Sequence, residues 1–319
     1  MQKKIGLLFI LMFLLGSAAF SRTIRISPQW TPQAQFAGLY IAEKKGFFKD
    51  LGVDVKIVHP AAATHSDIDM LREGETDIAM SQLLDVLSNY DAGFHMLNVL
   101  QTNERSSLLI VSRDTVNGVE DLRGKTIGNW KAGFSDCGFM MDSEYGLDIN
   151  WVSYNNTISV FLSGVFDATL AMDYNEYYQI LMSGMELSDK NVIRISDYVI
   201  DAQEDGYYVT PEFYQECKDE IWKCVTAIKE AWEWARIESN RDEAVDIVME
   251  KLKEFNVKSN RVHQRYMLDT ILKNMETKSG VAPYMVDRQR FDQLVSLMKK
   301  YGFLLNDVEY DDIVINFEK

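Results

Sequence analysis

The residues best suited to chemistry in this chain stand where apolar runs give way to polar ones. Gln29, Trp30, Thr31 and Pro32 follow the first such run, and Met80, Ser81 and Gln82 follow another. Residues 130–136, with Trp130, Gly133, Phe134 and Ser135, follow a third, and residues 173–178, with Tyr174, Asn175 and Glu176, follow a fourth. In open α/β sheets, ligands bind beyond the carboxyl ends of the strands. All four segments can therefore converge on one cleft. Trp30 and Trp130 can stack on a flat ring, while Asn175 and Glu176 can hydrogen-bond its polar edge. Four such segments together favour a site.

The motifs of catalysis are missing. The sequence contains no G-x-S-x-G elbow, no G-x-x-x-x-G-K-[ST] phosphate loop and no G-x-G-x-x-G dinucleotide turn. His59 and His65 stand near Asp67 and Asp69, but their spacing fits no standard metal register, and a polar loop leading into a helix N-terminus explains them. No metal and no cofactor is expected. Cys217 and Cys224 fall on one predicted helix about 10 Å apart along its axis, too far for a disulfide. With Cys137 they read as buried thiols.

The wider composition agrees. The 319 residues suit about two domains, and 47% hydrophobic residues can fill their cores. Thirty-three Lys and Arg against 48 Asp and Glu give a net charge of −15, which excludes a general nucleic-acid binder. Residues 1–21 read as a secretory signal: Lys3 and Lys4, an apolar run too short to span a bilayer, then Gly16, Ser17, Ala18 and Ala19. With Ser17 and no lipobox cysteine, the mature chain is expected in the periplasm or otherwise secreted.

Short β-rich runs alternate with amphipathic segments, the pattern of βαβ units on a parallel sheet. Strands are expected at 23–27, 53–58, 77–80 and 97–101, with helices at 34–45, 67–72 and 83–90 between them. A second series has strands at 125–130, 150–154, 168–172 and 192–195, so the fold class is α/β with two lobes. Leu71-x-x-Gly74-x-x-Asp77 before Ile78 is echoed by Leu162-x-Gly164-x-x-Asp167 before Ala168. The echo fits related lobes, or simply two αβ junctions obeying the same turn chemistry. From Pro211 onward, helices are expected at 212–238, 241–255, 260–277 and 287–301.

The string Gln29-Trp30-Thr31-Pro32-Gln33-Ala34-Gln35-Phe36-Ala37-Gly38-Leu39-Tyr40-Ile41-Ala42, followed by Lys45-Gly46-Phe47-Phe48, resembles the opening of the NMT1/THI5-like periplasmic binding proteins. Gly74-Glu75-Thr76-Asp77-Ile78-Ala79, Asp121-Leu122-Arg123-Gly124-Lys125-Thr126-Ile127-Gly128 and Asn175-Glu176-Tyr177-Tyr178 extend the likeness over residues 23–250. It implies a two-lobe type II periplasmic binding fold, each lobe a mostly parallel sheet flanked by helices, with a helical C-terminal region. Lobe 1 would hold residues 22–112 and 208–319 and lobe 2 residues 113–207, with crossovers near 111–116 and 195–208. It also adds Phe36 and Tyr40 to the candidate ligand-binding set.

The resemblance further implies a monomeric receptor that closes on a small heteroaromatic ligand and hands it to the membrane subunits of an ABC importer. Some fungal relatives are instead single-turnover synthases of the thiamine pyrimidine. Those carry a Lys, a His and a cysteine-rich motif, whereas this chain has Ser81 and Asp85 at the matching positions and no cysteine in 202–208. An anionic ligand would favour cationic loops, and the candidate segments offer only Lys131 against Asp136, Asp173 and Glu176. A neutral or weakly basic ring, such as a thiamine pyrimidine precursor, suits them better.

Overall fold

Two five-stranded sheets carry the fold, and the same local pattern builds each. The computed structural model describes residues 22–61, 64–130, 135–154, 157–277 and 282–315. In lobe 1, β1 (Thr23–Ser27) lies parallel between β2 (Asp54–Ile57) and β3 (Ile78–Gln82), and β10 (Asp205–Val209) inserts antiparallel between β3 and β4 (Leu97–Gln101). In lobe 2, β6 (Thr126–Asn129) lies parallel between β7 (Asn150–Ser153) and β8 (Ala168–Met172), and β5 (Leu108–Ser112) inserts antiparallel between β8 and β9 (Val192–Arg194). The antiparallel strand of each sheet is the one by which the chain enters from the other lobe. The expected leader, residues 1–21, lies outside the described residues, among which no helix is long and apolar enough to cross a membrane.

The sequence echo has a structural counterpart. Asp77 precedes β3, and its Oδ2 accepts the Arg25 backbone N–H at 2.8 Å while its own N–H donates to the Arg25 carbonyl at 2.9 Å. Asp167 precedes β8 and makes the same reciprocal pair with Thr126, at 2.7 and 2.9 Å. Gly74 and Gly164 turn the chain just before, at φ +72° and +85°, where a side chain would be strained. Burial raises the Asp77 carboxyl, but the Arg25 and Arg22 guanidiniums outweigh it and hold it below the ordinary carboxylate value. Each clamp fixes the register in which the third strand joins the first.

The crossovers differ from expectation. Residues 108–112 pair with β8 and β9, so the chain leaves lobe 1 through 102–107 rather than near 111–116. It returns through 195–204, and β10 begins at Asp205. Both β5 and β10 are buried along their whole length and pair antiparallel on both sides. Such runs carry no alternation to show which sheet they join.

The two crossovers are knitted side by side at one residue. The Asp205 carbonyl accepts from Thr102 N at 2.9 Å, Thr102 Oγ1 at 2.8 Å and Gln101 Nε2 at 3.0 Å. Its carboxylate accepts Gln29 Nε2 at 2.7 Å and Gln35 Nε2 at 2.8 Å, so it also anchors the loop after β1. Beside it, Glu204 Oε1 accepts Ser107 N at 2.7 Å and Ser106 Oγ at 2.9 Å, while its Oε2 is buried without a partner. Burial, reinforced by Asp205, pushes the Glu204 carboxyl up to about 8.

The C-terminal helices complete lobe 1. Thr210 caps α8 (Pro211–Glu216), as expected, but the helix breaks at Cys217 and restarts as α9 (Lys218–Arg236). The apolar face of α1 (Ala37–Lys45) packs on α9 and α10 (Arg241–Glu254). Gly38 makes this approach possible: a Cβ there would lie 2.4 Å from the ring of the buried Trp232. α11 (Arg261–Asn274) and α12 (Arg288–Lys300) reach lobe 2 as well, α12 through Lys300 to Glu144 at 2.6 Å. Cys137, Cys217 and Cys224 are free and buried, the first and last with thiols pushed up to about 12 by burial.

Two outcomes follow for stability. Gly38→Ala must displace the Trp232 indole from a packed core, and chemical denaturation should show a loss of about 1 to 3 kcal/mol. Unchanged stability would mean that the two helices part easily. The Glu204 carboxyl binds its proton more tightly folded than unfolded, where its ordinary value is 4.5, so stability is lost as pH rises toward 8. His59, lowered to about 4, titrates in the opposite sense only below 6.5, which leaves the window from 6.5 to 8 clean of it. Stability should fall by about 1 to 2 kcal/mol across that window, with Asp67 and Asp136, whose carboxyls burial pushes up to about 7, contributing in the same sense below 7, so Glu204→Gln should remove the fall between 7 and 8.

Candidate functional site

Between the lobes lies a cavity of about 900 Å³, walled by the segments that follow β1, β3, β6 and β8. Trp30, Ser81, Trp130, Tyr174, Asn175 and Glu176 all line it. Trp30 is held from below. The neutral His59 ring donates from Nδ1 to the Trp30 carbonyl at 2.8 Å and accepts the Tyr40 hydroxyl at Nε2, 3.1 Å away. Burial drives the His59 pKa down to about 4, against the pull of the Trp30 carbonyl, so this tautomer is fixed.

Phe36 and Tyr40, expected in the ligand-binding set, belong to the core instead. Both are fully buried, in edge-to-face contact at 6.5 Å, because the apolar face of α1 turns toward the C-terminal helices. Tyr40 reaches the site only through His59. Met80 is also buried and does not line the cavity; along β3 it alternates with Ser81, which does. Ser135 lies just outside the lining, its hydroxyl donating to the Trp130 carbonyl at 3.0 Å. Gly133 and Phe134 lie outside the described residues.

Glu176 opens α7 (Glu176–Met182) and turns back on its own strand end. Its Oε2 accepts the Met172 N–H at 3.0 Å and its Oε1 the Asn175 amide at 2.8 Å. Burial raises its carboxyl, and these donors recover only part of the shift. Its own backbone N–H adds a third donor, so the carboxylate is held firmly at the head of the helix.

Several lining residues escaped the sequence reading of the cleft: Asp67 and Asp69 in the first turn of the helix after Ser66, Asp85 in the first turn of the helix after β3, Tyr154 just after β7, and Val257, Lys258, Ser259, Asn260 and His263 around the start of α11. Ser66 caps α3 (Asp67–Arg72) in a capping box with Asp69, the polar loop and helix N-terminus expected there. His59 and His65 diverge: His65 pairs at 3.2 Å with Glu75 on the exposed edge, near Glu73. α11 and α7 meet across the mouth, where Tyr178 stacks on Tyr266 at 4.2 Å and on His263 at 5.2 Å. The Tyr266 hydroxyl donates to the Asp173 carbonyl at 3.1 Å, tying lobe 1 to lobe 2. No motif marks α11 as part of the site, since it arrives from a distant stretch of chain.

The electrostatics are one-sided. Among the described lining residues, Asp67, Asp69, Asp85 and Glu176 face a single Lys258 and no arginine. Asp67 is sealed from water, and burial together with Asp85 pushes its carboxyl up to about 7 despite the neighbouring Ser81. Such a surface accepts hydrogen bonds and positive charge and repels anions.

The comparisons agree with this architecture. The formylaminopyrimidine-binding protein of Halalkalibacterium halodurans is 22% identical over 307 residues, covering 91% of this chain and 88% of that protein. The periplasmic aliphatic sulphonate binding protein SsuA of Escherichia coli superposes with a TM-score of 0.66 at 14% identity, covering 92% of this chain and 96% of the other. The periplasmic nitrate-binding protein NrtA of Synechocystis gives 0.64 at 14% identity, covering 92% and 86%. The fold is that of the two-lobe periplasmic binding proteins. With the NMT1/THI5-like family matched over residues 33–240, the chain belongs to that family.

Proposed function

We propose that this protein is an extracytoplasmic solute-binding receptor, a monomer that encloses a small heteroaromatic ligand between its lobes and delivers it to an ABC importer. The observation that carries the reading is the lining itself: two tryptophans from the segments after β1 and β6, an amide and carboxylates at the edges, and no arginine among the described residues. An alkylsulphonate or nitrate favours cationic donors, and among the described lining residues only Lys258 offers one, against four carboxylates. A flat ring bearing N–H groups finds stacking surfaces and acceptors. The similarity to a formylaminopyrimidine-binding protein supports a pyrimidine related to thiamine precursors.

A binding role also suits the chemistry present. Ser81 and Asp85 line the cavity where the fungal synthases would hold a Lys and a His, so neither a Schiff-base amine nor a histidine donor stands at those positions. The three cysteines are buried, all with thiols raised by burial, and offer no activated nucleophile.

Native mass spectrometry of protein purified without refolding should reveal a bound ring compound by mass. The recovered compound should raise the melting temperature, by about 2.7 kcal/mol of added stability at a hundredfold excess over Kd. Trp30→Ala should weaken it roughly tenfold, about 1.4 kcal/mol, while leaving the fold intact. Full affinity in Trp30→Ala and Trp130→Ala together would move the site elsewhere, and a recovered anion would overturn the ligand class.

A further inference from the structure

One helix reaches from lobe 1 to lobe 2 along the side of the cavity. α11 belongs to lobe 1, where it packs on α10 and its buried Gln264 accepts the Ala34 N–H at 2.7 Å. Toward lobe 2 it presents His263, Tyr266 and Asn274, three and then eight residues apart and so on one side of the helix. These contacts loosen with distance from the crossovers. Asn274, buried beside the outward crossover, donates to Ser107 Oγ at 3.0 Å and to the two Asp173 carboxylate oxygens at 3.1 and 3.2 Å. About 12 Å further along the axis, Tyr266 donates to the Asp173 carbonyl at 3.1 Å. His263, about 16 Å from Asn274, meets lobe 2 ring to ring.

The lobe 2 ring that receives both aromatic contacts is Tyr178 of α7. It stacks on Tyr266 at 4.2 Å and 24°, and on His263 at 5.2 Å and 21°. The same two helices wall the cavity, α7 with Glu176 and Gln179 and α11 with His263 and Gln264. Tyr178 and Tyr266 do not line it, so their rings stand outside that wall. Parting Asn274 from Asp173 would strand buried polar groups, which is costly. Parting stacked rings strands none, and the half-buried Tyr266 hydroxyl can exchange its partner for water. The outer end of the seam is thus the end that can open and re-form.

We propose that Tyr178, clasped by His263 and Tyr266, is a latch between the lobes: it holds the mouth shut, and its parting sets how fast solute leaves. The inference rests on the receptor reading above and adds to it a residue that governs exchange rather than recognition. Tyr178 lies off the lining, so it acts on the closed arrangement of the lobes and not on the solute. Removing its ring therefore speeds release without slowing uptake.

The test compares the full mature protein with Tyr178→Ala and Tyr178→Phe, each checked for a cooperative melting transition. Small-angle scattering after dialysis needs no solute: Tyr178→Ala should have a larger radius of gyration than the wild type, and Tyr178→Phe, which keeps the ring, the wild-type value. Equal radii in all three, or the same expansion in Phe as in Ala, overturn the latch. His263→Ala removes the second contact from the other lobe and should expand the protein in the same direction; if Tyr178→Ala does not fold, this variant decides by the same criterion. Stopped-flow tryptophan fluorescence with an aminopyrimidine bearing a hydroxymethyl group should then show release roughly three- to tenfold faster from Tyr178→Ala, and unchanged release overturns the latch as well. A probe that binds none of the proteins counts against the heteroaromatic reading, while the scattering still decides the latch.

Discussion

A single buried carboxylate, Asp205, ties the binding loop, both crossovers and the returning strand together. It sits at the first residue of β10, where the chain re-enters lobe 1. Its side chain holds Gln29 and Gln35 of the loop after β1, and its carbonyl takes up Gln101 and Thr102 at the start of the outward crossover. Burial raises the carboxyl to about 6, and the two glutamine amides stabilise the charge that remains. A buried charge is tolerable only when its hydrogen-bonding capacity is met. The glutamines of the loop are therefore structural, and the tryptophan between them is left free to face the cavity.

The pseudo-symmetry of the lobes explains how so few contacts position the site. Each lobe repeats one unit, in which an aspartate before the third strand pairs reciprocally with the backbone of the first. The strand ends of both sheets then face the same gap, and the loops after them become its walls. Asn274 of α11 adds a cross-lobe strut, donating to Ser107 in the crossover and to Asp173 in lobe 2. Binding residues are carried on loops while rigid sheets fix where those loops point. In the proposed receptor, closure would be a rotation of intact lobes about 102–107 and 195–204.

The charge distribution gives the cleft its character. The same two-lobe architecture serves solved binding proteins named for sulphonate and for nitrate. Here the lining carries acids and a single lysine among the described residues. Fold and ligand are thus set on different levels, the first by strand order and the second by a handful of side chains at the strand ends.

The amino-acid order by itself determined the α/β class, the doubling, the aspartate before each third strand and the four polar segments after strands, because each is a local pattern of periodicity and turn chemistry. It placed Trp30, Trp130 and Glu176 at strand ends, and the structure lines the cavity with all three. The tertiary structure alone decided the rest. Phe36 and Tyr40 went into the core because a helix face is buried or open only according to what packs on it, here Trp232 and its neighbours. Residues 108–112 joined lobe 2 because a uniformly apolar strand fits either sheet until its partners are fixed. Asp205 meets glutamines 170 and 176 residues away, and Tyr266 of α11 meets Asp173 of lobe 2. Such pairings arise from chain reversals over long distances, and a linear pattern records the groups involved without recording which of them will meet.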